Sequence, residues 1–188
     1  MVEEQKVINI TGINNRYMMK KVIKPTSETK NKKRVDSEKW DFSEECYQYA
    51  YQLNMINDIY ANNLSYVNDV SKIAIQQINK KVSSYKQQDI LKNHFDETKF
   101  LKIENVIQKM IDCQLKCRYC TCEMSVLYDI SREMTQWSVD RVDNDLGHNY
   151  DNFHLACLEC NLKRRRRTDE KFLFTKQLKI VKQEKLES

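Results

Sequence analysis

Residues that make tight turns are nearly absent from this chain of 188 residues, which has two glycines, Gly12 and Gly147, and one proline, Pro25. An all-β sandwich or barrel needs many such turns, so their scarcity favours a largely helical chain. The chain also lacks any apolar run near the roughly 18 residues of a membrane span. Its polar, basic first 30 residues contain no signal core. We therefore expect an intracellular protein, cytoplasmic or nuclear, that does not associate with membranes.

Cysteine, by contrast, is abundant, with seven in the chain. In a reducing compartment, clustered cysteines usually bind metal rather than form disulfides. Two C-x-x-C pairs, separated by 36 residues, can each direct both sulfurs at one ion, which predicts a closed, structural Zn²⁺ site. Cys113 and Cys122 could be alternative ligands, although Cys122 follows Cys120 at a less usual spacing, and Cys46 stands alone. For these three we expect small thiols that are buried or partly exposed. The predicted zinc ligands are Cys117, Cys120, Cys157 and Cys160.

Positive charge exceeds negative charge by a modest net +5, but it is concentrated in two clusters, at 20–34 and at Lys163–Arg167. Such clusters attract polyanions because binding releases condensed counterions. A basic run can equally be a solvated surface. The run Lys30–Arg34 could serve as a nuclear address or as a tail that grips phosphates.

The composition divides the chain into three regions. We expect a basic, disordered arm over 1–40, a helical region over 41–100 and a zinc-bound module over 101–188. Apolar residues spaced by three and four predict one or two amphipathic helices over about 43–82 and another helix over 101–113. The tyrosines of this region could stack on bases, but core packing is the more usual role. The helices could also form a homodimer interface.

The stretch between the two cysteine pairs predicts a β-hairpin. Ser138–Val142 and Phe153–Ala156 have the pattern of short strands, and the residues between them are rich in Asn, Asp and Gly, which suits a loop. A helix should begin after Cys157. A final amphipathic helix near Phe172–Ile180 should pack back against the preceding part of the chain. The arm could add a short strand at Val7–Ile10. The predicted fold class is α+β, with an N-terminal helical region before a zinc-bound ββα module and a C-terminal helix.

Residues 115–167 combine four features in order: a C-x-x-C pair, an aspartate closing the first strand, Asn-x-x-x-x-Cys, and Cys-Asn-x-Lys. This segment resembles the HNH (ββα-metal) endonuclease family, and its Lys-rich and Asn-rich flanks look like HNH proteins of large DNA viruses and phages. The resemblance implies that Asp140 and Asn161 bind one divalent cation, Mg²⁺ or Mn²⁺, and that Asn152 braces the loop. A viral origin would place the protein in a host cell.

The segment departs from the family at Arg141, where most members carry the histidine that activates water. Arginine is too basic to accept a proton near neutral pH, so another group must act or the module does not cut. The resemblance favours His148, because family variants with Asp-Arg here tend to carry Gly-His in the loop. His154 is the alternative, since it shares a strand face with Asn152. Arg141 could instead stabilise charge on the phosphate, and Asp143 could assist the cation.

We therefore expect a metal-dependent endonuclease acting on nucleic acid, with DNA favoured over RNA. The basic helix after Asn161 should grip the backbone without reading sequence. One alternative is a catalytically silent zinc module that binds nucleic acid through this helix, and another is a zinc-supported protein-interaction domain. The predicted nucleic-acid contacts are Arg141, Lys163, Arg164, Arg165, Arg166 and Arg167.

Overall fold

A computed structural model describes residues 32–62, 64 and 68–178. The described residues from Lys33 onward belong to one compact unit. Most of the predicted arm, the suggested strand at Val7–Ile10 and the end of the last predicted helix lie outside the described residues. Within the described part of the chain, every helix is too short or too polar to cross a bilayer.

The first half of the described chain is helical, as its composition predicts. It contains two short 3-10 helices, Ser37–Lys39 and Glu44–Tyr47, followed by three α-helices. The region predicted as one or two helices forms α1 and α2, and α2 continues well past the expected end near residue 82. The α-helices are α1 (Tyr49–Ala61), α2 (Asp69–Leu91) and α3 (Ile103–Asp112).

The second half forms a hairpin followed by two helices, so the α+β class is confirmed. The antiparallel strands are β1 (Trp137–Arg141) and β2 (Phe153–Cys157), within one residue of the predicted bounds. Their register pairs Asp140 with His154, and paired residues lie on the same face of a hairpin. The helices that follow are α4 (Leu158–Arg164) and α5 (Asp169–Gln177).

One apolar core joins the helical half to the hairpin. Ile56 of α1, Ile78 of α2, Ile107 of α3 and Trp137 of β1 are fully buried and belong to the same cluster. Burying such a side chain contributes about 1.5–3 kcal/mol relative to leaving it exposed. The helices before the module are therefore part of the support for the hairpin.

Gln52 connects α1 to the segment before β1 by hydrogen bonds inside this core. Its Oε1 accepts from the backbone N–H of Val126 (2.6 Å) and Leu127 (2.9 Å), and its Nε2 donates to the Leu127 carbonyl (3.1 Å). Because a buried polar group without partners is costly, this satisfied amide fixes the position of α1 against the segment.

Candidate functional site

The four cysteines of the two C-x-x-C pairs meet in one cluster. Their Sγ atoms all lie within 4.8 Å of one another, and the Sγ atoms of Cys120 and Cys157 are 3.8 Å apart. A tetrahedral site with metal–sulfur bonds of about 2.3 Å has sulfur–sulfur edges of about 3.8 Å. The cluster, which we call the cysteine cage, therefore has the donors and spacing to hold a metal ion such as zinc.

Backbone geometry shapes the first half of the cage. Thr121 adopts a left-handed conformation (φ 58°) that reverses the chain. The Cys117 N–H donates to the Cys122 carbonyl at 2.9 Å, and the Tyr119 N–H points at the Cys117 Sγ at 3.5 Å. An N–H donor stabilises a thiolate, which is the form that binds metal. Cys122 thus contributes its backbone to this knuckle.

The second half of the cage spans the junction of β2 and α4. Cys157 ends β2 and its Sγ accepts from the Cys160 N–H at 3.4 Å, within the first turn of α4. A metal held here would tie the hairpin to α4. The other two cysteines lie elsewhere: Cys113 donates to the Met110 carbonyl at 3.6 Å, and buried Cys46 contacts the Ser43 hydroxyl.

Asp140, near the end of β1, is buried and has a partner on each carboxylate oxygen. The Tyr119 hydroxyl donates to Oδ2, and Arg164 Nη1 of α4 donates to Oδ1 at 2.7 Å. Burial raises the pKa of the Asp140 carboxyl, while the bonds from Tyr119 and Arg164 oppose that rise. Asp140 therefore lies at the interface of β1 and α4.

Asn161, one turn before Arg164 on α4, reaches the same interface. Its Nδ2 donates to the Val139 carbonyl and to the Ser138 hydroxyl, each at 3.0 Å. No hydrogen bond among the described residues uses its Oδ1. An amide oxygen is an acceptor, so Oδ1 can serve as a ligand for a cation at this interface.

Tyr119 joins Asp140 to a second carboxylate that sequence analysis missed. The Tyr119 hydroxyl lies 2.7 Å from Oδ1 of Asp169, the first residue of α5, as well as next to Asp140. Burial and the two carboxylates raise the pKa of Tyr119 well above its usual range. In the sequence, Asp169 looks like an ordinary acid in the first turn of a helix. Tyr119 lies between the two cysteines of the first C-x-x-C pair, where the motif does not specify the residue.

The two candidate histidines lie in different surroundings. His154 is half-buried, faces Asp140 across the hairpin, and its Nε2 is 3.8 Å from Asp169 Oδ2. His148 is buried against α2, where its Nδ1 lies 2.7 Å from Oδ1 of Asp89. Burial lowers the pKa of both histidines, and the charge of an aspartate opposes this shift: Asp89 at His148 and Asp169 at His154.

Asn152 holds the loop between the strands closed. Its Oδ1 accepts from the Asp143 N–H at 2.8 Å, and its Nδ2 donates to the carbonyls of Asp143 and Gly147, each at 3.0 Å. Arg141 also stabilises this loop, because its Nη1 donates to the Leu146 carbonyl at 2.7 Å. The Asp143 carboxylate accepts from the Asp145 N–H at 2.9 Å, so it stabilises the turn of the loop.

The basic residues after Asn161 divide into buried and exposed ones. Arg164 is fully buried and donates to the carbonyls of Arg141 (2.7 Å) and Val142 (2.8 Å) in addition to Asp140, so its guanidinium lies inside the protein. Lys163 is exposed and pairs with Glu159 one turn earlier. Arg165, Arg166 and Arg167 are exposed.

Arg165 and Arg166 line a cleft of about 570 Å³ together with Arg141 and with Lys92, which follows α2. We call this the basic cleft. His94, Asn144 and Asp145 complete its lining. Lys92 was missed by sequence analysis because nothing in the sequence indicates that the end of α2 approaches the hairpin loop.

No protein-family model, curated protein or solved structure matches this chain. The candidate site has three features: the cysteine cage, the interface of Asp140 and Asn161, and the basic cleft.

Proposed function

We propose that the chain is a metal-dependent endonuclease of the HNH type, with Zn²⁺ in the cysteine cage and Mg²⁺ or Mn²⁺ at Asp140 and Asn161. The observation that carries the proposal is the free Oδ1 of Asn161 at the same strand–helix interface as the Asp140 carboxylate. A zinc knuckle with a purely structural role needs neither oxygen donor. The cage supports this arrangement because it joins β2 to the helix that bears Asn161.

The ligand chemistry suits a hard cation. Carboxylate and amide oxygens prefer Mg²⁺ and Mn²⁺, whereas thiolates prefer Zn²⁺. Each oxygen of Asp140 keeps a second lone pair beyond the bond from Tyr119 or Arg164. A bound cation would neutralise the charge that develops on the phosphate during hydrolysis. His148 and His154 are the two candidate imidazoles that can accept a proton from water, and a third imidazole, His94, lines the basic cleft.

The basic cleft supports nucleic acid as the substrate. Its four cationic side chains, on three separate segments, line one concave surface, where they can contact the phosphates of a nucleic-acid backbone. Contacts to phosphates do not depend on base identity, and DNA remains favoured over RNA through the resemblance to HNH nucleases. Binding should weaken steeply with added salt because counterions are released.

Nicking of supercoiled plasmid by the zinc-loaded chain tests the proposal. We expect cleavage with Mg²⁺ or Mn²⁺ and none with the metal-free buffer, and we expect Asp140→Ala and Asn161→Ala each to abolish it while retaining the zinc. Asp151→Ala, an exposed acid before β2, is the matched control and should cut normally. Equal cleavage by Asp140→Ala, Asn161→Ala and wild type would refute the assigned cation site.

A second candidate is a catalytically silent zinc module that binds nucleic acid. The observation that favours it is that both oxygens of Asp140 already have protein partners, one of them the cation Arg164, whose charge opposes the binding of a second cation. This candidate predicts salt-sensitive binding to DNA or RNA and no cleavage of either by the zinc-loaded wild type. Loss of binding on replacing Arg165 and Arg166 would locate that activity in the basic cleft.

A further inference from the structure

The end of α2 contacts the hairpin loop through a buried carboxylate. Asp89 is fully buried, and its Oδ1 lies 2.7 Å from His148 Nδ1 while its Oδ2 accepts from the His148 backbone N–H at 2.6 Å. Two contacts from one carboxylate fix both the backbone and the ring of His148. The helical region thereby reaches a residue of the proposed site.

Packing around this contact is tight and specific. The ring of Tyr85, one turn before Asp89, stacks on the imidazole with centroids 4.7 Å apart and planes 23° from parallel. A Cβ on Gly147 would lie 2.3 Å from the His94 carbonyl oxygen and 3.0 Å from Asp89 Oδ2. Only glycine therefore allows the loop to approach α2 closely enough for the Asp89 contact.

The contact selects one form of the imidazole. A carboxylate can only accept, so Asp89 requires a proton on Nδ1, and the neutral ring then carries its lone pair on Nε2. No hydrogen bond among the described residues uses Nε2. The ring retains 6% of its side-chain surface exposed, and the charges of Arg141 and Lys92, which line the basic cleft, are close enough to lower its pKa.

His154 lacks such an arrangement. Its nearest carboxylate oxygen, on Asp169, is 3.8 Å from Nε2, which is too long for a hydrogen bond. The position of its ring is therefore not fixed by a comparable contact. Of the two candidate bases, only His148 has a carboxylate within hydrogen-bond distance that keeps the ring proton on Nδ1.

We propose that Asp89 is a positioning residue that holds His148 with Nδ1 protonated, so that Nε2 accepts the proton of the water that attacks the phosphodiester. The inference rests on the proposed nuclease function and names its base. As the water oxygen bonds to phosphorus, one water proton passes to Nε2, the bond from phosphorus to the leaving oxygen breaks, and that oxygen takes a proton from solvent. Histidine bases of this kind typically contribute about 10²–10⁴-fold.

The tautomer can be measured without any nuclease assay. Nitrogen-15 NMR of the full zinc-loaded chain distinguishes the two ring nitrogens, and the chain has only three histidines to assign. We expect neutral His148 to carry its proton on Nδ1 in the wild type. In Asp89→Asn, the new amide can donate to Nδ1, so the proton should move to Nε2. An Nε2-protonated ring in the wild type would overturn the inference.

Cleavage rates then test whether the contact acts through His148. Asp89→Asn should slow plasmid nicking by about 10²-fold with zinc content and DNA affinity retained. In a His148→Ala background it should cause no further loss, whereas a merely structural role would slow both backgrounds alike. The pH profile of the wild type should lose its acidic limb in His148→Ala. The charged and titratable groups that face the ring are Asp89, Tyr85, Lys92 and Arg141.

The outcomes separate this inference from the nuclease proposal. Active cleavage with an Nε2-protonated wild type, or with unchanged rates in Asp89→Asn, refutes the role of Asp89 alone. A wild type with Nδ1 protonated that cuts no substrate refutes the nuclease function, and the catalytic role of Asp89 with it. Should Asp89→Asn fail to fold, the wild-type tautomer and the His148→Ala pH profile still decide the matter.

Discussion

The guanidinium of Arg164 and the carboxylate of Asp140 form an ion pair from which water is almost wholly excluded, with exposed side-chain fractions of 0% and 5%. Removing two charges from water is costly, and the cost is recovered only when each charge keeps good partners. Here Arg164 also donates to the carbonyls of Arg141, the last residue of β1, and of Val142, which follows it, and Tyr119 donates to Asp140. The pair therefore fixes α4 against the end of β1.

Replacing Arg164 should be strongly destabilising. Arg164→Ala leaves the Asp140 carboxylate buried without its countercharge, and losses of about 3–5 kcal/mol in the free energy of unfolding are typical of such a change. Urea denaturation of the zinc-loaded protein measures it. Arg165→Ala, the exposed neighbour, is the control and should change the value by less than about 0.5 kcal/mol. A loss below about 1 kcal/mol in Arg164→Ala would show that the pair does not hold the interface.

Some residues of the candidate site could be predicted from the sequence, and others could not. The cysteine cage was predictable because a two-residue gap brings its own sulfurs together, and only the meeting of the two pairs depended on the fold. Tyr119 and Asp169 could not be found this way, since they meet only when α5 packs beside the first knuckle. Arg164 was expected on the surface because a run of arginines contains no signal that one of them turns inward.

Among the elements, α2 connects the helical half to the loop that carries His148. It is 23 residues long and begins with a capping box, in which Asn68 Oδ1 accepts from the Ser71 N–H at 2.8 Å and Ser71 Oγ accepts from the Asn68 N–H at 2.9 Å. These bonds satisfy backbone donors that the first turn would otherwise leave without partners.

Removing the cap should weaken α2 measurably. Asn68→Ala is expected to lower the free energy of unfolding by about 1 kcal/mol, whereas Asn68→Asp, which keeps the accepting oxygen, should stay within a few tenths of a kcal/mol of wild type. Chemical denaturation monitored by helical circular dichroism makes the comparison. Equal losses in the two variants would indicate that the hydrogen bond to Ser71 is not what stabilises the helix start.

The length of α2 illustrates why an element can be found and its end misplaced. Apolar spacing predicts a helix up to about residue 82, and beyond that point the core-facing positions are taken by Tyr85 and Asp89. Lys81, Tyr85 and Asp89 are four residues apart and so share one face of the helix. Periodicity of apolar residues does not reveal this face, because its side chains are polar. The contact with the Gly147–His148 loop explains why Asp89 is buried in this otherwise polar turn.

At the scale of the whole molecule, the helical half and the hairpin half share one core, and the cysteine cage closes the hairpin half. The α+β class and the two strands were predictable from short-range patterns. The shared core was not, because the contacts of α3 with β2 and of α1 with Val126 and Leu127 join residues far apart in sequence. Loss of the cage metal should for the same reason affect the stability of the helical half as well.

Chelation of the metal is expected to lower the melting temperature of the whole described unit in one transition. Metal-bound cysteine sites contribute directly to folding, because the site does not exist in the unfolded chain. Cys120→Ser should reduce the zinc content below one ion per chain and lower the melting temperature, while Cys113→Ser, outside the cage, should do neither. Thermal unfolding with parallel metal analysis checks both. An unchanged zinc content in Cys120→Ser would remove it from the ligand set.

A second divalent cation bound by Asp140 and Asn161 can be detected by counting bound Mn²⁺. Electron paramagnetic resonance of the zinc-loaded chain, mixed with an uncleavable phosphorothioate duplex, measures free and bound Mn²⁺. Wild type should bind one Mn²⁺ more than either Asp140→Ala or Asn161→Ala, with zinc unchanged. Equal Mn²⁺ binding by wild type and both variants would contradict the cation site and favour a zinc module that binds nucleic acid without cutting it.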